Sequence, residues 1–226
     1  MPDIGLLNEK PLHASLKQWC AKPGDRFEVA VDGFVVDIVQ GDLLLEIQTG
    51  SFASIKSKLF QLVDAHQIRL IYPIPKEKWI VKLPQIDGED TSRRKSPKRG
   101  HLVDLFWEMV SFPHLLEHPN FELEVLLTRE EEVRRFVSRK RWRRKGWGIE
   151  ERRLVDVAER KLFEDPSDWR ELLPENLPTP FTTRDLAEGA SINLQLAQKM
   201  TYCLRKTGVI EPAGKRRHAP LYEIVR

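Results

Sequence analysis

The sequence has 226 residues, is poor in cysteine, and holds no apolar run long enough to cross a bilayer. Its two cysteines, Cys20 and Cys203, lie far apart and lack metal-ligand spacing, which favours a reduced environment. Residues 1–24 lack the layout of a signal peptide, because polar residues interrupt every apolar stretch. We therefore expect a cytoplasmic protein with no membrane partner.

Two kinds of chemical motif are also missing. The six histidines never approach a zinc-ligand pattern with the cysteines. The chain contains neither G-x-x-x-x-G-K-[ST] nor G-x-G-x-x-G, the glycine-rich loops that cradle nucleotide phosphates. These absences argue against a zinc site and against nucleotide-driven chemistry.

Basic residues are present in excess, and they are clustered. The net charge is only +3, yet the segment from Arg134 to Trp147 contains eight basic residues and no acidic one, and residues 93–99 contain five more. Such clusters are typical of a phosphate-binding surface, although each one alone is also compatible with a solvated face or loop. The residues predicted to contact nucleic acid are Arg139, Lys140, Arg141, Arg143, Arg144, Lys145, Lys199, Arg205, Lys206, Lys215, Arg216 and Arg217.

The N-terminal half shows the pattern of a mixed sheet with flanking helices. Periodicity and turn residues predict, in order, a helix, a hairpin, a second helix and two strands. The predicted ranges are a helix over 9–21, a strand over 26–39 with a turn at Asp32-Gly33, a strand over 43–49, a helix over 51–65, and strands over 68–74 and 79–83. This order predicts an α/β fold.

The following segments are predicted less regularly. Residues 102–116 favour a helix, residues 121–127 a strand, and residues 149–163 a charged amphipathic helix. Four prolines then mark a linker. We expect three parts: a core over 1–130, a basic helical connector over 131–178, and a C-terminal domain over 179–226.

An acidic hairpin is the strongest candidate for chemistry. If Gly41-Asp42 is a two-residue turn, Asp37 lies opposite Glu46 on one face of the sheet. Two opposed carboxylates destabilise a hairpin unless something neutralises them, and a divalent cation with oxygen ligands would do so. The alternatives are a solvated pair at a sheet end or a different register.

The segment V-D-I-V … L-E-I-Q-T, with this order of elements over residues 5–83, resembles the PD-(D/E)XK nuclease superfamily of resolvases and restriction enzymes. The resemblance implies a restriction-endonuclease-like fold in which Asp37 and Glu46 hold Mg²⁺ (or Mn²⁺), with Glu9 as a further acidic residue. Gln48 stands where the family has a catalytic lysine. Three explanations stay open: Gln48 orients a water, a lysine of the next helix (Lys56 or Lys58) substitutes, or the site is inactive.

The C-terminal segment over 181–225 resembles the α+β winged-helix family. Thr182 or Thr183 is expected to cap its first helix, Leu194 and Ala197 to lie on the buried side of its second helix, and residues 212–220 to form a basic wing. The resemblance implies DNA contact, with protein contact as the alternative. The leading hypothesis is thus a Mg²⁺-dependent DNA nuclease. The alternatives are an inactive DNA-binding regulator and a protein-interaction adaptor, and a homodimer is left open.

Overall fold

A computed structural model describes residues 9–85, 90–137 and 146–225. These residues form a seven-stranded mixed sheet flanked by helices and a separate two-stranded antiparallel sheet. The mixed α/β class expected from the sequence is therefore confirmed, whereas the restriction-endonuclease-like and winged-helix identities stay predictions. No helix within the described residues is long and apolar enough to span a membrane.

The N-terminal elements follow the predicted order. Their bounds are α1 Pro11–Cys20, β1 Arg26–Val31, β2 Phe34–Gln40, β3 Leu43–Ile47, α2 Lys56–Leu62 and β4 Gln67–Lys82. Strands β1, β2 and β3 form an antiparallel meander, and β3 then pairs with β4 in parallel. Both predicted turns are confirmed, and the first places Asp32 (φ 47°) and Gly33 (φ 84°) in the left-handed region that tight hairpins require.

The two strands predicted over 68–74 and 79–83 are one continuous strand, β4. Pro73 and Pro75 suggested a break, but the strand continues through a register shift between Pro75 and Glu77. Proline is tolerated beside such a bulge, because the ladder hydrogen bond is already interrupted there. The distal half of β4 pairs with a short strand, β5 (Ser92–Lys95), and with the long strand β6 (Phe121–Val137).

The helix predicted over 149–163 is wrong, because these residues belong to strand β7 (Gly146–Phe163), which pairs antiparallel with β6. Its charges meet opposite charges across the ladder, as in Arg129–Asp156 and Arg152–Glu130. The same charge pattern also fits an amphipathic helix, but in β7 the charged residues form ion pairs across the strands. The connector predicted over 131–178 was expected to be helical. This is wrong for residues 131–137 and 146–163, which are strands. The domain boundaries stay predictions.

The helix predicted over 102–116 is also divided. It consists of a 3₁₀ turn at Leu102–Leu105, the short helix α3 at Phe106–Met109, and a second 3₁₀ turn at Pro113–Glu117. Phe112 leaves the helical region (φ −153°, ψ 57°) because it precedes a proline. The interruption places α3 against helix α5 of the C-terminal segment.

The C-terminal segment contains α4 Thr183–Gly189, α5 Leu194–Lys206, β8 Ile210–Arg216 and β9 Ala219–Ile224. Thr182 caps α4 by accepting the Asp185 N–H, as predicted. Ala197 on α5 is buried as predicted, whereas Leu194 is 43% exposed and Leu196 is buried instead. Buried residues of α5 share one core with β3, β4 and β6, while α1 packs on a second core that contains Leu12, Leu16, Ile38, Leu45, Ile71 and Leu126.

Candidate acidic site at the ends of strands β2 and β3

The acidic site lies where β2 and β3 separate. The predicted pairs Gln40–Leu43 and Val39–Leu44 are confirmed, and the ladder ends at Ile38–Leu45. One residue further on, Asp37 Oδ2 accepts the Ile47 backbone N–H at 2.8 Å. A side chain therefore takes a bond that the ladder would otherwise make, and it holds the Asp37 carboxylate between the two strands.

Glu46 is the buried member of the pair, with 5% of its surface exposed. Burial raises the pKa of Glu46 to about 7, the negative charge of Asp37 adds to this, and the nearby Lys58 opposes it. Glu46 Oε1 is buried and lies against the ammonium group of Lys58. A buried carboxylate needs such a cation to remain charged.

Lys58 supplies the cation that the hairpin itself lacks. It extends from α2, forms an ion pair with Glu46 Oε1, and donates a hydrogen bond to the Val35 carbonyl at 2.5 Å. Lys56, the other predicted donor, instead lies 5.7 Å from the Phe60 ring centroid. Of the two predicted lysines, the structure thus brings only Lys58 to the carboxylates.

The Gln48 side chain, which the sequence offered as a water-orienting group, forms hydrogen bonds with the loop before α2. Its amide donates to the Ser51 carbonyl and to Ser54 Oγ, both at 2.8 Å, and accepts the Gly50 N–H at 3.3 Å. These bonds hold the loop that leads into α2. Gln48 therefore positions the helix that carries Lys58.

Helix α1 completes the site through residues spaced four apart. His13 contacts Glu9 Oε1 through Nδ1 at 2.5 Å and Asp37 Oδ2 through Nε2 at 3.2 Å. Lys17 Nζ lies 2.6 Å from Glu9 Oε1 and 2.8 Å from Glu28 Oε1. His13 and Lys17 lie on one side of α1, and Glu9 precedes the N-cap residue Lys10. His13 contacts both Glu9 and Asp37, so Glu9 lies near Asp37.

These contacts shift the acid–base properties of the site. Burial of Asp37 would raise its pKa, but hydrogen bonds from His13 and Ile47, together with nearby positive charge, hold it below its usual value. Burial would lower the pKa of His13, but Asp37 and Glu9 raise it above its usual value. Both shifts favour the ionised carboxylate beside a protonated imidazole.

The site opens into a cleft of about 470 Å³. Its lining residues are Glu9, Lys10, His13, Lys17, Glu28, Val35, Asp37 and Thr49. Sequence reasoning missed His13 and Lys17, although their spacing from Glu9 was a usable signal. Nothing in the sequence marks Glu28, which reaches the cleft from β1 with a positive φ of 51°.

The side chains of the site supply few ligands for a metal ion. Among the described residues, no group of three or more His, Cys, Asp or Glu side chains converges closely enough to hold an ion by itself. Mg²⁺, however, commonly takes only one or two carboxylates and completes its shell with water and phosphate. Asp37 and Glu46 fit such a two-carboxylate site, in which a metal would share Glu46 with Lys58.

The residues predicted to contact nucleic acid differ from one another in exposure and in the groups they contact. Arg205, Lys206, Lys215, Arg216 and Arg217 are exposed. Arg216 lies 3.5 Å from Asp185 Oδ2, and the half-buried Lys199 lies 5.4 Å from the Trp107 ring centroid. The basic residues Arg139, Lys140, Arg141, Arg143, Arg144 and Lys145 lie outside the described residues.

Comparison with known proteins places the acidic site within a family domain. A family model described as a domain of unknown function (DUF8091) matches residues 10–164, which contain α1 through β7 but not the C-terminal helices. An uncharacterized protein of Treponema pallidum (strain Nichols) is 29% identical over 221 residues, which cover 97% of this chain and 86% of the relative. No solved structure matches the chain significantly.

Proposed function

We propose that this chain, which belongs to the DUF8091 family, is a metal-dependent nuclease that hydrolyses phosphodiester bonds of DNA. The observation that carries the proposal is the position of Lys58. The hairpin has two carboxylates and lacks the lysine of the PD-(D/E)XK pattern, and a lysine from the next helix contacts the second carboxylate. Two carboxylates where β2 and β3 separate, with an ammonium group from α2 beside one of them, suit phosphoryl chemistry.

Asp37 and Glu46 would hold the metal, since they are the two carboxylates at the point where β2 and β3 stop pairing. Mg²⁺ or Mn²⁺, when bound, lowers the pKa of a water and stabilises charge on the phosphate. Charged oxygen ligands are what such hard cations require. The burial of Glu46 beside Asp37, which raises the pKa of Glu46 to about 7, supports this assignment, because a further cation there would stabilise the charged form.

The protein's own groups have separate roles in this proposal. Lys58 places positive charge next to Glu46, where the phosphate gains negative charge in the transition state. His13 orients Asp37 through a hydrogen bond of 3.2 Å. Gln48 fixes the loop before α2 and so keeps Lys58 in position.

Substrate affinity is assigned to a separate basic surface, because the cations of the acidic site, such as His13 and Lys58, already contact its carboxylates. The exposed basic residues of α5 and of the β8–β9 wing support a DNA-binding role for the C-terminal segment. In this scheme the wing supplies affinity and the hairpin supplies chemistry. The affinity therefore depends on salt and does not depend on Asp37.

The test is cleavage of single-stranded, duplex and branched DNA across Mg²⁺ and Mn²⁺ concentrations. We expect the wild type to cleave at least one substrate only when metal is added, and Asp37→Asn to abolish cleavage. Asp32→Asn is the matched control, because Asp32 is an exposed carboxylate in the neighbouring turn and asparagine tolerates its positive φ. Cleavage by Asp37→Asn at the wild-type rate would refute the proposal.

A DNA-binding protein without nuclease activity is the second candidate. One observation favours it: both carboxylates already contact cationic side chains, Asp37 with His13 and Glu46 with Lys58. Such pairing could stabilise the hairpin without a metal. Salt-dependent DNA affinity with no divalent-metal binding would support this candidate over the nuclease.

A further inference from the structure

The end of the β6–β7 ribbon extends past the end of β4. The last residue of β4, Lys82, pairs with Arg134 of β6, which in turn pairs with Ile149 of β7. Beyond this point, residues 135–137 pair with residues 146–148 alone within the described part of the chain. The ribbon thus ends in a two-stranded projection from the sheet.

One face of this projection carries an aromatic and cationic cluster, which we term the ribbon-tip patch. Cα partners share a face, as do residues two apart on one strand. The members of the patch are Lys82, Arg134, Phe136, Trp147 and Ile149.

The apolar members of the patch are open to solvent. Phe136 is 38% exposed, Ile149 is 60% exposed, and Trp147 is half-buried. The Phe136 and Trp147 rings meet edge to face with centroids 5.7 Å apart, and Lys82 Nζ lies 4.7 Å from the Trp147 centroid. Apolar groups clustered at a projecting tip suggest a contact surface.

The charge of the surrounding sequence indicates the kind of partner. Residues 134–149 contain eight basic residues and no acidic one in sequence, and six of the eight, in 139–145, lie outside the described residues. Arg134 pairs with Glu132 and Arg135 with Glu150, whereas Lys82 faces an aromatic ring. A polyanion that also presents flat rings satisfies both the charge and the aromatic groups, and a nucleic-acid strand with unpaired bases has this chemistry.

We infer that the ribbon-tip patch binds a single-stranded segment of nucleic acid, with an unpaired base stacked on the Trp147 ring, the Phe136 ring beside it, and a phosphate near Lys82. The inference rests on the proposed function only in taking nucleic acid as the partner, and it needs no cleavage. It adds to the proposed nuclease a preference for strands with unpaired bases. Duplex DNA hides its base faces and would use the patch less.

The experiment is fluorescence anisotropy with labelled oligothymidylate and a labelled duplex in metal-free buffer. Trp147→Ala should weaken oligothymidylate binding by roughly 5- to 150-fold, the range for one base stacked on an aromatic ring, and duplex binding by much less. Trp147→Phe should retain most of the affinity. The matched control is Val155→Ala, since Val155 is 51% exposed in the same strand, and it should change neither affinity.

A second variant tests the electrostatic part. Lys82→Ala should reduce the slope of log affinity against log salt on the single strand by up to about 0.7. Wild-type affinity of Trp147→Ala for oligothymidylate would overturn the inference, as would an equal loss on duplex DNA. Binding of the wild type to phosphatidylglycerol vesicles but to neither oligonucleotide would overturn it in favour of a membrane partner.

These outcomes are independent of nuclease activity. If the wild type cleaves DNA and Trp147→Ala binds normally, the inference fails and the proposed function stands. If no cleavage occurs but Trp147→Ala loses single-strand affinity, the inference stands and the proposed nuclease activity fails. Urea unfolding of each variant separates lost contacts from lost folding.

Discussion

Asp37 Oδ2 accepts the backbone N–H of Ile47 at 2.8 Å, across the point where β2 and β3 stop pairing. The bond joins a carboxylate of one strand to the main chain of the next, directly after Glu46. Because Ile47 directly follows Glu46 in the chain, this hydrogen bond fixes the orientation of the Asp37 carboxylate relative to Glu46. The two carboxylates are therefore held relative to each other by the backbone and do not depend on a flexible loop.

This arrangement predicts a shared metal site. Titration of Mn²⁺ into wild type and into Asp37→Ala/Glu46→Ala should show binding only to the wild type, because each carboxylate supplies a charged oxygen. Asp32→Asn should bind as the wild type does, since Asp32 lies in the β1–β2 turn and pairs with His66. Equal binding by the double variant, measured by calorimetry, would reject the metal site.

Gln48 is predicted to act on the loop. Gln48→Ala removes two hydrogen bonds of 2.8 Å and should lower the free energy of unfolding by about 1 kcal/mol, because each bond contributes modestly in a partly solvated position. Mn²⁺ affinity should stay unchanged. Urea unfolding and calorimetry on the same samples would measure both, and a loss of metal affinity with normal stability would instead place the Gln48 amide in the site.

The wing is predicted to provide part of the DNA affinity. Each cation that neutralises a phosphate of duplex DNA contributes about −0.9 to the slope of log affinity against log salt. Arg216→Ala/Arg217→Ala should therefore weaken binding to all sequences and flatten the slope by up to about two units.

The control removes two cations of strand β7, outside the wing, in Arg153→Ala/Lys161→Ala. Both pair with carboxylates, as Arg216 does with Asp185. Anisotropy at several salt concentrations should show the wild-type slope for this control. An unchanged slope in the wing variant would show that the duplex contacts lie elsewhere, and no binding by the intact protein at low salt would favour the protein-interaction adaptor.

Acid should weaken the cap of helix α4. The Thr182 backbone N–H and hydroxyl, with Arg216 nearby, hold the pKa of Asp185 below its usual value of 3.8. A lowered folded-state pKa stabilises the fold above the unfolded pKa, and this contribution is lost as the pH falls through the folded pKa. Urea unfolding should show Asp185→Asn less stable than wild type at neutral pH, with the difference shrinking below about pH 4. A difference that is constant with pH would contradict the role of this carboxylate charge.

Local patterns predicted the N-terminal part of the fold well. The turns at Asp32-Gly33 and Gly41-Asp42 depend on residues within the turns, and the register of β2 on β3 follows from the second turn. The proximity of Lys58 to Glu46 was one of the alternatives that the sequence offered, because α2 directly follows β3. These features depend on neighbours close in sequence.

Features that depend on distant partners were predicted poorly. The charges of β7 suit an amphipathic helix until their partners on β6 are known, as for Arg152 and Glu130. Glu130 is fully buried, and no local pattern shows that an arginine 22 residues later neutralises it. The contact of His13 with Asp37 likewise joins residues 24 apart, so the site could be predicted only in part.

The central claim is that Asp37, Glu46 and Lys58 form a nuclease site, and single-turnover cleavage by Lys58→Ala tests it most directly. The account predicts that Lys58→Ala binds Mn²⁺ but cleaves roughly a hundredfold more slowly than wild type, the usual effect of removing one stabilising group from a transition state. Lys56→Ala, whose side chain lies over Phe60, should cleave at the wild-type rate. Wild-type cleavage by a folded Lys58→Ala, or equal losses in both lysine variants, would contradict the account.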